Sequence, residues 1–147
     1  MCGIVGYIGH KEAFPILVKG LQRLEYRGYD SAGVSIHQNP EELTIFKKKG
    51  KVQDLLDHVG DSDTSGNSGI GHTRWATHGP PNDTNAHPHT ARLGKLSLIH
   101  NGIIENYESL RTSLESNGHD FVSDTDTEVL VHLIEEVQTR TSTTLCE

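Results

Sequence analysis

Apolar residues along the chain fall into two kinds of block, one alternating and one spaced by three and four. Ile4 to Ile8 is apolar, β-prone and bounded by glycines, which predicts a buried strand. Phe14, Leu17, Leu21 and Leu24 share a helical face, and Pro15 is harmless in a first turn, so a helix is expected over Glu12 to Tyr26. Tyr26 to Gly33 then reads as a polar, glycine-flanked loop. Val34 to His37 and Leu43 to Lys47 alternate about an Asn39-Pro40 turn, as a hairpin does. Val52, Leu55, Leu56 and Val59 return to helical spacing, with Gly60 placed to end the helix. After a polar loop from Asp61 to Ser68, Gly69 to Trp75 predicts a strand and Ala76 to Pro88 a proline-rich loop. Leu96 to His100 is a further strand. Asn106 is placed to cap a helix carrying Tyr107, Leu110 and Leu114, with Gly118 at its end. Phe121-Val122 reads as a short strand. Thr125 to Glu128 has capping-box spacing and opens a helix whose stripe is Val129, Leu130, Leu133, Ile134 and Val137. The mixed order of hairpin, strands and helices predicts an α+β domain with antiparallel sheet.

Composition narrows the class. The length of 147 residues suits one domain with a real core. An apolar fraction of 33% and a mean hydropathy of -0.49 are low, yet the periodic blocks argue against disorder. With 13 basic and 20 acidic residues the formal charge is -7, which speaks against nucleic acid or an anionic membrane as partner. No apolar run has the ~20 residues of a membrane span, and no secretory leader pattern opens the chain. Cys2 and Cys146 stand at opposite ends and form neither a disulfide framework nor a metal pair, so a reducing, cytoplasmic setting is expected.

Candidate chemistry starts at Cys2. Removal of Met1 would put a thiol and a free α-amine on one residue, and their reference pKa values, about 8.5 and 7.7–8.0, let the amine take the thiol proton near neutrality. The plain alternative is a small hydrophobe opening a strand. Arg74, at a strand end, offers a planar fork for an amino-acid α-carboxylate, or is simply a surface arginine. Asn101-Gly102 is either a tight hairpin turn or an oxyanion hole made of a side-chain amide and a glycine N–H. Asp126 either complements a helix dipole or receives a substrate ammonium. Two glycine patterns are set aside. Gly28 and Gly33 lack the lysine of a phosphate loop, since Val34 follows, and Gly69-Ile70-Gly71 lacks the third glycine of a dinucleotide site. Among the ten histidines, His72, His78, His87, His89 and His100 show no metal-ligand spacing, so neither a metal nor a cofactor is expected.

Taken together, several segments are more specific than any one. Met1-Cys2-Gly3-Ile4-Val5-Gly6 resembles the start of the N-terminal-nucleophile glutamine amidotransferases. Leu24 to Gly33, His72 to Gly79, Asn85-Ala86-His87-Pro88-His89 and His100 to Asn106 are similar to the glutaminase domain of the glucosamine-6-phosphate synthase family. Amidophosphoribosyltransferases, which share the Cys start, resemble the chain less. The resemblance implies a four-layer αββα fold of two antiparallel sheets between helices. It implies that Cys2 attacks the carboxamide of L-glutamine with its own α-amine as base, that Asn101 and Gly102 hold the oxyanion, and that Arg74 and Asp126 bind the two α-groups. Thr77 and His78 would contact the substrate, Trp75 would lie at the ammonia exit, and Arg27 would lend support.

The same resemblance assigns residues 1–147 to the N-terminal portion of a type 2 glutamine amidotransferase domain. The family's remaining strands and its sugar isomerase domains, which use the ammonia on fructose 6-phosphate, would follow beyond residue 147. The full-length enzyme is expected to be a homo-oligomer. The competing expectation is a non-catalytic fragment that needs its missing half.

Overall fold

A computed structural model describes residues 2–39, 42–76 and 79–145. Strands β1 (Gly3–Ile8), β2 (Ser31–Asn39), β3 (Glu42–Lys49) and β4 (Ser68–Arg74) form an antiparallel sheet in the order β1-β4-β2-β3. Because side chains alternate across a strand, each strand has one set of residues for each face. Val5 and Tyr7 of β1, Ala32 and Val34 of β2, and Phe46 of β3 meet helices α1 (Ala13–Leu24) and α2 (Val52–Val59). Leu17, Leu21 and Leu55 from these helices are fully buried there. Each such leucine contributes roughly 1.5–3 kcal/mol by leaving water. Gly20 sets how closely α1 lies on the sheet: a Cβ there would stand 2.8 Å from Val5 Cγ2. Helix α2 ends as expected, with Gly60 at φ +51° donating its N–H to the Leu56 carbonyl at 3.0 Å.

The opposite face of the sheet carries Gly33, Ser35, His72 and Arg74. A two-stranded antiparallel ladder, β5 (His89–Thr90) with β6 (Ser97–Leu98), covers part of it. Ser97 Oγ donates to Ser35 Oγ at 2.8 Å, and a Cβ on Gly33 would collide with the His87 carbonyl, so the layers touch closely. Helix α4 (Thr127–Thr141) packs on β5 and β6, and α3 (Tyr107–Ser116) packs on α4. The result is the α+β, four-layer αββα arrangement with two antiparallel sheets, the second much the smaller.

Several local expectations change. The expected Glu12–Tyr26 helix ends at Leu24, Glu25–Arg27 makes a 3₁₀ turn into the expected loop, and β2 already begins at Ser31, because Ser31 and Ala32 pair with β3 on one side and β4 on the other. The Leu96–His100 strand shrinks to β6 and pairs with β5, a strand the pattern did not announce. Phe121-Val122 is not a strand; the N–H groups of Val122 and Ser123 donate to the Glu128 carboxylate instead. Asn106 does not cap α3 through its side chain, and the expected Thr125–Glu128 capping box does not form: Glu128 accepts the Val122 and Ser123 N–H groups, and Thr125 Oγ1 pairs with His89 Nε2 at 2.9 Å. The stripe of α4 is rotated: Val129 is buried, Leu130, Leu133 and Ile134 are half-buried, and Val137 is 49% exposed. Glu128, Val131, His132 and Glu135 face inward instead, and the three polar ones are held by hydrogen bonds to neighbouring loops. No helix among the described residues is long and apolar enough to cross a membrane.

Candidate active site

The site sits where β1 begins and β4 ends. The register pairs Gly3 with Thr73 and Ser31 with Arg74, so Cys2, one residue before β1, stands beside Arg74 at the same end of the sheet. The Trp75 N–H donates to Cys2 Sγ at 3.1 Å, which fixes the sulfur at the mouth of the strand pair. Asp30 secures this corner from the other side. Its N–H donates to the Arg74 carbonyl at 3.1 Å, and its Oδ2 accepts the Ala76 N–H at 2.8 Å. Gly28 must be a glycine here for space: a Cβ would lie 2.9 Å from the Arg74 carbonyl carbon.

Asn101 bridges the two layers. Its Nδ2 donates to the Cys2 carbonyl at 3.2 Å, and its Oδ1 lies 2.8 Å from His72 Nε2. The carbonyl can only accept, so the amide orientation follows, and Oδ1 requires a proton on His72 Nε2. His72 is 1% exposed and stacks on His87, with ring centroids 4.3 Å apart. Burial is the main cause that lowers the His72 pKa, to about 4; the Asn101 hydrogen bond opposes it and the charges of Arg74 and His100 add to it. Burial likewise drives His87 far below the usual histidine range and His89 down to about 3. These rings are neutral at pH 7, which keeps Arg74 the dominant cation. Burial also lowers the pKa of Arg74, opposed by Cys2, Asp30 and Asp126, but a guanidinium remains charged.

Asp126, almost fully buried, accepts the Ile104 N–H on Oδ2 at 2.7 Å; its other oxygen has no protein hydrogen-bond partner among the described residues. Cys2, Arg27, Arg74, Trp75, Asn101, Gly102 and Asp126 all line one cavity of about 410 Å³, a size suited to a small polar ligand. Trp75 is 45% exposed and meets Tyr29 edge-on at 5.8 Å, while Arg27 is exposed and bonds Tyr26 Oη through Nε at 2.9 Å. Thr77 and His78 lie outside the described residues. Asn101-Gly102 forms no hairpin turn, since among the described residues no strand follows it. A more open groove of about 690 Å³ between β4, β6 and α4 contains none of these groups.

His72, His87, His100, Thr125 and Thr127 also line the cavity, and none was singled out for it from the sequence. One of them had a readable signal: His72 lies two residues before Arg74 on a predicted strand and therefore shares its face.

A cysteine sulfur, a side-chain amide, a guanidinium and a carboxylate thus line one small cavity, a set of groups that suits amide chemistry. The chain belongs to the glutamine amidotransferase family: the family model described as a glutamine amidotransferase domain matches residues 51–146. Among individual relatives, the glutamine–fructose-6-phosphate aminotransferase (isomerizing) of Bacteroides thetaiotaomicron is 61% identical over 92% of the chain and 22% of its own length. The enzyme of the same name from Thermus thermophilus is 58% identical with the same coverage. The chain thus spans about a fifth of the length of these curated relatives. A solved glutamine phosphoribosylpyrophosphate amidotransferase from B. subtilis matches the fold with a TM-score of 0.76 at 35% identity, covering 92% of this chain and 29% of that one.

Proposed function

We propose that this chain is the glutamine-hydrolysing part of a glutamine–fructose-6-phosphate aminotransferase. Once Met1 is removed, the Cys2 α-amine takes the thiol proton and the thiolate attacks the side-chain carbonyl carbon of L-glutamine. The negative oxygen that forms is held by Asn101 Nδ2 and the Gly102 N–H. The tetrahedral species collapses with loss of the C–N bond, and ammonia leaves with the proton that the amine carried. Water then hydrolyses the γ-glutamyl thioester, giving glutamate and regenerating the thiol. Arg74 pairs with the substrate α-carboxylate and Asp126 with its α-ammonium, so the amino-acid end is clamped by opposite charges. Arg27, Trp75, Thr77 and His78 would complete the enclosure. No metal or cofactor enters the scheme.

The observation that carries this reading is that four sequence-distant segments, around Cys2, Arg74, Asn101 and Asp126, line one cavity. The 61% and 58% identical relatives favour fructose 6-phosphate over a phosphoribosyl acceptor as the destination of the ammonia, through domains that those relatives' greater length accommodates. The setting is cytoplasmic, the full enzyme a homo-oligomer, and residues 1–147 the N-terminal portion of the amidotransferase domain.

The test is ammonia release from L-glutamine by the methionine-free chain, with the N-terminus verified by intact mass. Turnover that disappears in Cys2→Ala supports the reading. A folded, correctly processed chain without turnover contradicts it.

A further inference from the structure

Away from the cavity, a second cluster of buried titratable groups joins the segment after α3 to the inner face of α4. Gly118, at φ +90°, turns the chain out of α3 and delivers His119 against His132. His119 and His132 are both buried, and their Nδ1 atoms lie only 3.2 Å apart. Each ring's other nitrogen faces a carboxylate: His119 Nε2 is 2.8 Å from Glu136 Oε2, and His132 Nε2 is 3.5 Å from Glu128 Oε1. Both carboxylates already act as acceptors. Glu136 also takes Arg140 at 2.6 Å and Asn117 at 3.2 Å, and Glu128 takes the Val122 and Ser123 N–H groups.

Counting protons shows the difficulty. Two neutral imidazoles carry one N–H each, and the flanking carboxylates call for both. The two Nδ1 lone pairs would then oppose each other at 3.2 Å. Moving a proton to the centre leaves His132 Nε2 a bare acceptor before a carboxylate, and that atom is buried with no hydrogen-bond partner. Leaving a buried polar atom unsatisfied costs about 1–3 kcal/mol. A cation between the Nδ1 atoms removes the conflict and lets both Nε2–H groups face their carboxylates.

We propose that His119 Nδ1, His132 Nδ1 and Glu135 Oε2 bind a divalent transition-metal ion of the zinc class. Two nitrogens at about 2.0–2.1 Å from a tetrahedral ion stand about 3.3 Å apart, close to the separation here. Glu135 Oε2 is 3.9 Å from His119 Nδ1, and all three ligand atoms lie within 4.8 Å of one another, so a small contraction closes the site. His132 and Glu135 are three residues apart on α4 and share a face. The donor set of two imidazoles and a carboxylate, with water as a fourth ligand, is one zinc accepts. Two of the ligands already have an outer partner, as metal ligands do: Glu136 for His119, and the Leu93 N–H on Glu135 Oε1 at 2.9 Å; Glu128 Oε1 stands 3.5 Å from His132 Nε2, in place to become the third. Glu135 and Leu93 line the larger groove, which gives an ion a way in. The ion would staple residues 117–124 to α4, and that segment runs directly into Thr125 and Asp126 of the glutamine cavity.

The experiment uses the untagged chain with both Cys2→Ala and Cys146→Ala, so that no ion can lodge on a thiol. After removal of metal with a chelator, Co²⁺ is titrated as the probe and followed by visible absorption and thermal melting. The expected result is one equivalent bound with the d–d bands of a tetrahedral N/O site, a raised Tm, and displacement by Zn²⁺. His119→Gln and Glu135→Gln should lose the bands, Glu136→Gln should bind about 10–100-fold more weakly, and His58→Gln, on exposed α2 surface, should be unchanged. If a variant does not fold, ¹⁵N NMR of the parent decides, because Zn²⁺ must shift the Nδ1 resonances of His119 and His132. A folded chain that binds no stoichiometric Co²⁺, unchanged bands in the ligand variants, or unshifted Nδ1 resonances would overturn the proposal. The pair would then be bridged by a third proton instead.

Discussion

Asn101 carries two duties at once, and they separate experimentally. Its Nδ2 is the side-chain donor assigned to the oxyanion, while its Oδ1 satisfies the buried His72 Nε2–H. Asn101→Ala should lower kcat for ammonia release about 10²–10³-fold through loss of the oxyanion donor, with a smaller change in KM. It should also cost about 1–3 kcal/mol in urea unfolding, because His72 loses its acceptor. A kcat unchanged within twofold would remove Asn101 from the chemistry. At this scale the sequence was informative wherever a side chain's own chemistry is distinctive. Cys2, Arg74, Asn101 and Asp126 could each be matched to one end of an amino-acid substrate. The choice between turn and oxyanion hole at Asn101-Gly102 could not be made locally, since it depends on Cys2, 99 residues away, supplying the partner carbonyl. The neutral state of His72 was invisible for the same reason: burial comes from the second layer.

At the scale of elements, the close seat of α1 on β1 makes an unusual prediction. A glycine inside a helix ordinarily costs about 1 kcal/mol against alanine, so Gly20→Ala should stabilise a free helix. Here the new methyl would stand 2.8 and 2.9 Å from the two Val5 Cγ atoms. Gly20→Ala should therefore destabilise the domain by about 1–3 kcal/mol, as overpacking does. Adding Val5→Ala should recover part of that loss. A Gly20→Ala chain with a higher urea midpoint than the parent would show that α1 stands farther off. Helices α1 and α2 were legible because each buries one face in a single period. The two residues of β5 were not, being too short to show a period, and β6 was legible only as part of a longer Leu96–His100 strand. The face of α4 was misread because its inward positions include Glu128, His132 and Glu135, whose burial rests on partners from other segments.

At the scale of the whole molecule, the second layer holds three histidines neutral against the first. His72, His87 and His89 have lowered pKa values in the fold, chiefly through burial, while an unfolded histidine titrates near about 6.5. Below that pH the unfolded chain takes up protons that the folded chain refuses. Stability is thus complete above about pH 6.5 and falls with acid, by up to about 1.4 kcal/mol per pH unit for each ring, toward the folded value for His72 near 4. Urea midpoints should drop steadily between pH 6.5 and 5, before most carboxylates titrate; a flat profile there would place the three rings in water. The layered fold was foreseen through the family resemblance rather than from periodicity, which reached only α+β.

The account rests on Cys2 sharing a pocket with the groups that recognise an amino acid, and alkylation of that sulfur reports on it directly. On the methionine-free chain, iodoacetamide labelling of Cys2 should slow markedly with L-glutamine but not with D-glutamine, and Arg74→Ala should abolish the protection. Equal labelling rates with and without L-glutamine, on a folded chain, would contradict the account.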